Sequence, residues 1–162
     1  MTPNPYAPPK SEVADVVGDR VAPALWNPNA AASWSLLLSP AFGAFLHMKN
    51  WQALGESGKA AKAKLWVIAS LAILVGVALV SAFLPDSKAF DGLSRIASVA
   101  LLLSWYYTSG KPQVGYILSR YGNSYPRRGW GRPLVFAVVT IVCLVGVVVA
   151  VAVAASTFTG EV

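Results

Sequence analysis

The sequence predicts an all-α integral membrane bundle, with four transmembrane helices as its simplest architecture. Three observations lead there. Of the 162 residues, 56% are hydrophobic and only 12% charged, about half the charged share of an ordinary soluble domain. Four stretches with little or no charge approach the length a helix needs to cross a bilayer core, about 20 residues. Nine of the thirteen Lys and Arg residues fall in two links between those stretches, four in 49–64 and five in 109–132. So much apolar surface cannot be hidden behind so few charges in water. Lipid is the remaining solvent.

The chain begins with "MTPNPYAPPKSEVADVVGDRVAPA", rich in Pro and mixed in charge. No basic segment precedes an apolar run, so this is not a signal peptide. Residues 1–27 read as a flexible Pro-rich tail, followed by a membrane domain over 28–158.

The first membrane segment, 29–48, has spanning length, but Pro40 lies at its middle. Proline removes one backbone hydrogen bond and kinks a helix, which membrane helices tolerate when neighbours satisfy the freed group. Either a kinked crossing or a re-entrant helical hairpin fits, and the choice sets only the side of the tail. The second segment, 65–84, "LWVIASLAILVGVALVSAFL", is uncharged throughout. The third, 93–108, carries Arg95 close to its start, where the guanidinium can snorkel to the headgroups. The fourth, 133–156, starts at Pro133, which suits a first helical turn. Its many β-branched residues would suggest a strand in water, but a lone strand in lipid leaves its backbone unsatisfied.

Charge sets the orientation. The link 49–64 holds Lys49, Lys59, Lys62 and Lys64 against Glu56, and the link 109–132 holds Lys111, Arg120, Arg127, Arg128 and Arg132 with no acid. Positive links stay on the cytoplasmic side, which places the C-terminus in the periplasm. Trp and Tyr cluster beside the same links, and such rings prefer the membrane boundary. Val114, Ile117, Leu118 and Tyr121 follow helical spacing, with Gln113 and Arg120 on other faces, as in a short interfacial helix.

"SLLLSPAFGAFLHMKNW" and "ALLLSWYYTSGKPQVGY" share a layout, suggesting two similar helical hairpins. Small residues four apart (Ser35, Ser39 and Gly43; Ala72 and Gly76; Gly146, Ala150 and Ala154) mark candidate close contacts between helices.

No catalytic motif is recognisable, and no Asp or Glu falls inside a predicted span, so the chain reads as a non-enzyme without metal or cofactor. His47, beside Lys49, reads as an interface residue, and the lone Cys143 as a small packing residue. The candidate contacts for lipid or a partner are Lys111, Arg120, Arg127, Arg128, Arg132 and Trp130. Pro40 and Arg95 are the candidate functional irregularities. Nucleic acid is not an expected partner, because the cations are confined to links between apolar runs.

"NPYAPPKSEVADV" resembles the N-terminal tail of several families of small bacterial inner-membrane proteins, among them the family named for an Arg-Asp-Asp motif, which itself is absent here. "WNPNAAASWSLLLSPAFGAFLHMKNWQALGE" and "RYGNSYPRRGWGRPL" are similar to a group of uncharacterised multi-span bacterial proteins. The resemblance implies a Gram-negative inner membrane and brings no activity with it.

Three functions follow as expectations. The first is a polytopic inner-membrane protein that binds a membrane partner or anionic lipid through its cytoplasmic basic-aromatic links. The second is an immunity protein protecting the inner membrane from a secreted toxin. The third is a small transporter or channel. Self-association stays open under all three.

Overall fold

The computed structural model describes residues 21–83 and 87–159. The expected tail over 1–20 lies outside the described residues. Six α-helices make up the described chain: α1 (Pro28–Leu37), α2 (Pro40–Ala53), α3 (Ser57–Phe83), α4 (Lys88–Trp105), α5 (Lys111–Tyr121) and α6 (Gly131–Thr159). A π-helical turn, Tyr106–Gly110, joins α4 to α5.

Local chemistry explains the helix starts. Asn27 caps α1, its Oδ1 accepting from the amides of Asn29 and Ala30 at 3.0 and 3.3 Å, with Pro28 in the first turn. Ser39 and Pro40 repeat the device for α2, Ser39 Oγ accepting from the Phe42 amide at 3.4 Å. A residue before proline is pushed out of the helical region, and Ser39 is extended at φ 167° and ψ 161°. Of the two expectations for 29–48, a kinked helix or a helical hairpin, the chain adopts two helices, and Pro40 begins the second of them.

Those two helices run antiparallel, side by side. Trp26 meets Asn50, the Pro28 carbonyl meets His47, and Ser35 lies against Gly43. A Cβ on Gly43 would collide with Ser35 Oγ and with the Trp105 ring, so only glycine permits this approach. The other small residues behave differently. Gly76 and Gly146 have open space around them, so those expected contacts do not form.

α2 turns into α3 through a Schellman ending. Gly55, at φ 75°, donates to the Gln52 carbonyl and Glu56 donates to that of Trp51. α3 and α6 then run about 40 Å each at 1.5 Å per residue. Ser57–Ser81 and Gly131–Ala154 are long and apolar enough to cross a membrane. Only 11% of the first window and 6% of the second is buried against protein, which is unlike the core helices of a soluble domain.

α4 begins earlier than 93, because Ser87 caps it by accepting from the Phe90 amide at 3.3 Å and Asp91 favours its first turn. Arg95 thus stands two turns into the helix, exposed. The π turn follows from Pro112, which has no amide hydrogen for the Thr108 carbonyl and whose ring crowds it. The Lys111 amide reaches back to the Tyr106 carbonyl instead. α4, the π turn and α5 are continuous, whereas α1 and α2 fold back. The two Leu-Leu-Leu-Ser stretches share a layout but not a backbone path.

Packing is confined to one end. None of residues 71–81 and 87–104 is buried, and none of 138–154, 156 and 157. Leu93, Ile96, Val99, Val135, Val142 and Val153 are each more than half exposed. Cys143 is exposed as well, against the expectation that it packs.

Candidate functional site

The packed end holds the basic links. Its base is a polar staple that ties three separate segments together. Asn50 Oδ1 accepts from the Trp26 amide at 3.0 Å, and its Nδ2 donates to the Trp26 carbonyl at 2.8 Å and to Gln113 Oε1 at 3.3 Å. Gln113 Nε2 donates to the His47 carbonyl at 2.8 Å. The His47 ring donates through Nε2 to the Pro28 carbonyl at 3.2 Å, since a carbonyl can only accept. His47, Asn50 and Gln113 are buried at 0%, 1% and 0% exposure, and buried polar groups of this kind are stable only when paired.

Two expectations change here. His47 is enclosed by protein rather than lying at an interface. Trp105 is also fully buried, its ring edge-on to His47 at 5.4 Å. In α5 the buried residues are Gln113 and Ile117, in line with Gly110 of the π turn, and not Val114 and Leu118. Gln113 turns inward because Asn50 and the His47 carbonyl satisfy its amide.

The end of the expected tail is docked. Leu25 is wholly buried against Ile117 and Tyr125. Its amide donates to the Pro126 carbonyl at 2.9 Å and its carbonyl accepts from the Arg128 amide at 2.8 Å. Trp26 Nε1 donates to the Gly129 carbonyl at 3.0 Å.

Two basic clusters sit on this frame. In the first, the links 49–64 and 109–132 meet. Lys59 Nζ lies 4.8 Å from the Trp51 ring centre and 4.1 Å from that of Tyr116, and 3.3 Å from Glu56 Oε2. The Tyr116 hydroxyl donates to Glu56 Oε1 at 2.7 Å and accepts from Arg120 Nη1 at 3.4 Å. The Tyr116 hydrogen bond, then that of Lys59, holds the Glu56 carboxyl below its ordinary range; the same bond to Glu56 raises the Tyr116 hydroxyl. Burial raises Tyr125, with Arg127 pulling the other way.

In the second cluster the Arg128 guanidinium lies 4.7 Å from the Trp26 ring centre. Arg128 and Arg132 share a groove of about 710 Å³ with Trp26, Phe45, Pro133 and Phe136. Trp130 packs away from the groove, 6.4 Å from Trp34. Lys111 lies 5.7 Å from the Tyr107 ring centre and Arg127 5.8 Å from that of Tyr125. Of the predicted contacts, the fold joins Arg128 with Arg132 and keeps Arg120, Lys111 and Arg127 on other parts of the same end. Pro40 and Arg95 stand apart from both clusters.

Trp26, Phe45, Trp51, Glu56 and Lys59 were not among the predicted contacts. Lys59 and Trp51 carried a signal, a cation and a ring eight residues apart around a Gly turn; Phe45 carried none. Comparison of the chain with protein families, curated proteins and solved structures returned no match.

Proposed function

We propose that the chain is a small, non-enzymatic, polytopic inner-membrane protein whose basic-aromatic end binds anionic lipid at the cytoplasmic leaflet. One observation carries this reading. The two basic links, about 60 residues apart, pack against each other at one end, while α3, α4 and α6 leave that end with their apolar side chains exposed. Cations and rings concentrated at one end of exposed apolar helices match a headgroup boundary beside hydrocarbon. The bacterial inner membrane itself is inferred from the resemblance of the tail and of the 26–56 segment.

Depth supports a specific arrangement. The hairpin tip at Ser39 shares a slot with Leu71 of α3 and Ile141 of α6. Those residues lie seven and nine positions beyond Lys64 and Arg132, or roughly 10–14 Å at the helical rise. A hydrocarbon core is about 30 Å thick. The α1–α2 hairpin therefore enters from the basic side and stops short of the far side. α3, α4 and α6 cross, and residues 21–27 stay with the cytoplasmic links.

Thermal stability in reconstituted vesicles tests the function. The purified chain in vesicles of zwitterionic lipid should gain stability when about a third of the lipid is replaced by phosphatidylglycerol, and should lose that gain in high salt. Equal stability in both compositions would contradict the proposal.

A further inference from the structure

The groove at Arg128 and Arg132 has an apolar neighbour. It adjoins a second cavity of about 220 Å³ between the hairpin tip, α3 and α6, and the two share Phe45 and Phe136 as walls. These rings stack at 5.9 Å. The second cavity is lined by aliphatic and aromatic side chains apart from Ser39 and Thr140. Both hydroxyls are committed, Ser39 Oγ to the Phe42 amide and Thr140 Oγ1 to the Phe136 carbonyl at 2.8 Å. A cationic groove thus lies next to an apolar slot, with the Phe45 and Phe136 rings between them.

The groove is fixed in place. Arg128 is held over Trp26, and Trp26 is pinned by Gly129 and by both ends of the Asn50 amide. Arg132 stands in the first turn of α6. Among the described residues no carboxylate lines either cavity: Glu56 is engaged with Lys59 and Tyr116, and Asp91 lies at the start of α4. Guanidinium groups suit phosphate oxygens, which they can engage in paired hydrogen bonds. A zwitterionic headgroup would bring an ammonium with no acid to meet it.

We propose that this groove binds one anionic phospholipid, its phosphate between Arg128 and Arg132 and one acyl chain running past Phe45 and Phe136 into the slot beneath Ser39. The proposal rests on the membrane reading above, because it needs the guanidiniums at headgroup depth and the slot within hydrocarbon. It assigns a discrete, structural lipid in place of a general attraction to charged membrane.

The test is a lipid titration of the full chain in a non-ionic detergent, read by native mass spectrometry, with a melting curve for each variant. Dioleoyl phosphatidylglycerol should bind one to one, at least tenfold tighter than dioleoyl phosphatidylcholine, and glycerol phosphate should not compete. The double variant R128Q/R132Q should weaken that binding at least tenfold, while R120Q/R127Q should change it less than threefold. Ile141→Trp, which narrows the slot without touching a cation, should also weaken it. If R128Q/R132Q melts early, R132Q alone carries the comparison. Equal losses in the two double variants would overturn the groove and leave the general lipid reading standing. Competition by glycerol phosphate would make the site one for free phosphate, and a dimer that lipid cannot displace would give the groove to a second copy. A wild-type chain with no preference for phosphatidylglycerol would defeat both the groove and the lipid reading.

Discussion

The Gln113 side-chain amide donates to the main-chain carbonyl of His47 at 2.8 Å, across 66 residues and with both partners buried. Through this bond α5 is fastened to the returning arm of the α1–α2 hairpin, and Asn50 extends the fastening to Trp26. Replacing Gln113 by Leu removes the acceptor of one buried Asn50 Nδ2 hydrogen and the side-chain donor that reaches the His47 carbonyl from outside its own helix. An unsatisfied buried group costs about 1–3 kcal/mol. The Gln113→Leu chain should therefore melt several degrees lower in detergent, and Gln113→Glu should fare worse because it adds a buried charge. Melting unchanged in both would remove the staple from the account.

Gly43 is the position where the hairpin arms and Trp105 come closest. Gly43→Val should force them apart at a cost of about 1–3 kcal/mol, with Trp105 fluorescence shifting to the red as its ring meets a more polar surrounding. Gly76→Val, in open space, should leave melting and fluorescence unchanged. The pair of variants separates close packing from a general effect of removing glycine.

The Glu56 carboxyl is held below its ordinary value near 4.5 by Tyr116 and Lys59. A depressed acid stabilises the fold above its unfolded pKa and loses that contribution as pH falls through the folded value. Stability should accordingly decline below about pH 4.5, and Glu56→Gln should flatten that part of the profile. Tyr116 behaves oppositely: its raised pKa means its contribution is present below pH 10 and is lost as pH climbs further. Thermal melts across pH in the same detergent check both signs.

Arg95 is exposed two turns inside α4. In the proposed arrangement its long stem lets the guanidinium reach headgroups on the far side from the basic links. Arg95→Leu should insert and fold as the parent does, by membrane fractionation and melting. A failure to insert would show that the charge does more than snorkel.

The helical class and the two long apolar helices were legible because charge-free runs of this length admit few other structures. The fate of 29–48 was written in Asn27-Pro28 and Ser39-Pro40, each a capping residue followed by a proline suited to a first helical turn. Its length, equal to one crossing, argued as strongly for a single kinked helix, and only the contacts of Gly43 with Ser35 and of His47 with Pro28 decide for the hairpin. The inward turn of Gln113 could not be read from periodicity, which counts apolar residues, whereas Gln113 is buried by virtue of its partners. Arg128 and Arg132 were visible as charges. Their shared apolar wall was not, because Phe45 comes from a helix more than 80 residues earlier.

The most direct measurement is the sidedness of residues on each helix end. With Cys143 replaced by Ser, single cysteines at Val21, Lys59, Ser87 and Arg127 would be exposed to a membrane-impermeant maleimide in intact spheroplasts. The re-entrant arrangement predicts labelling at position 87 alone, with 21, 59 and 127 labelled only after lysis. Labelling of 21 from outside would mean that the first segment crosses, and labelling of 59 or 127 would contradict the cytoplasmic placement of the basic end.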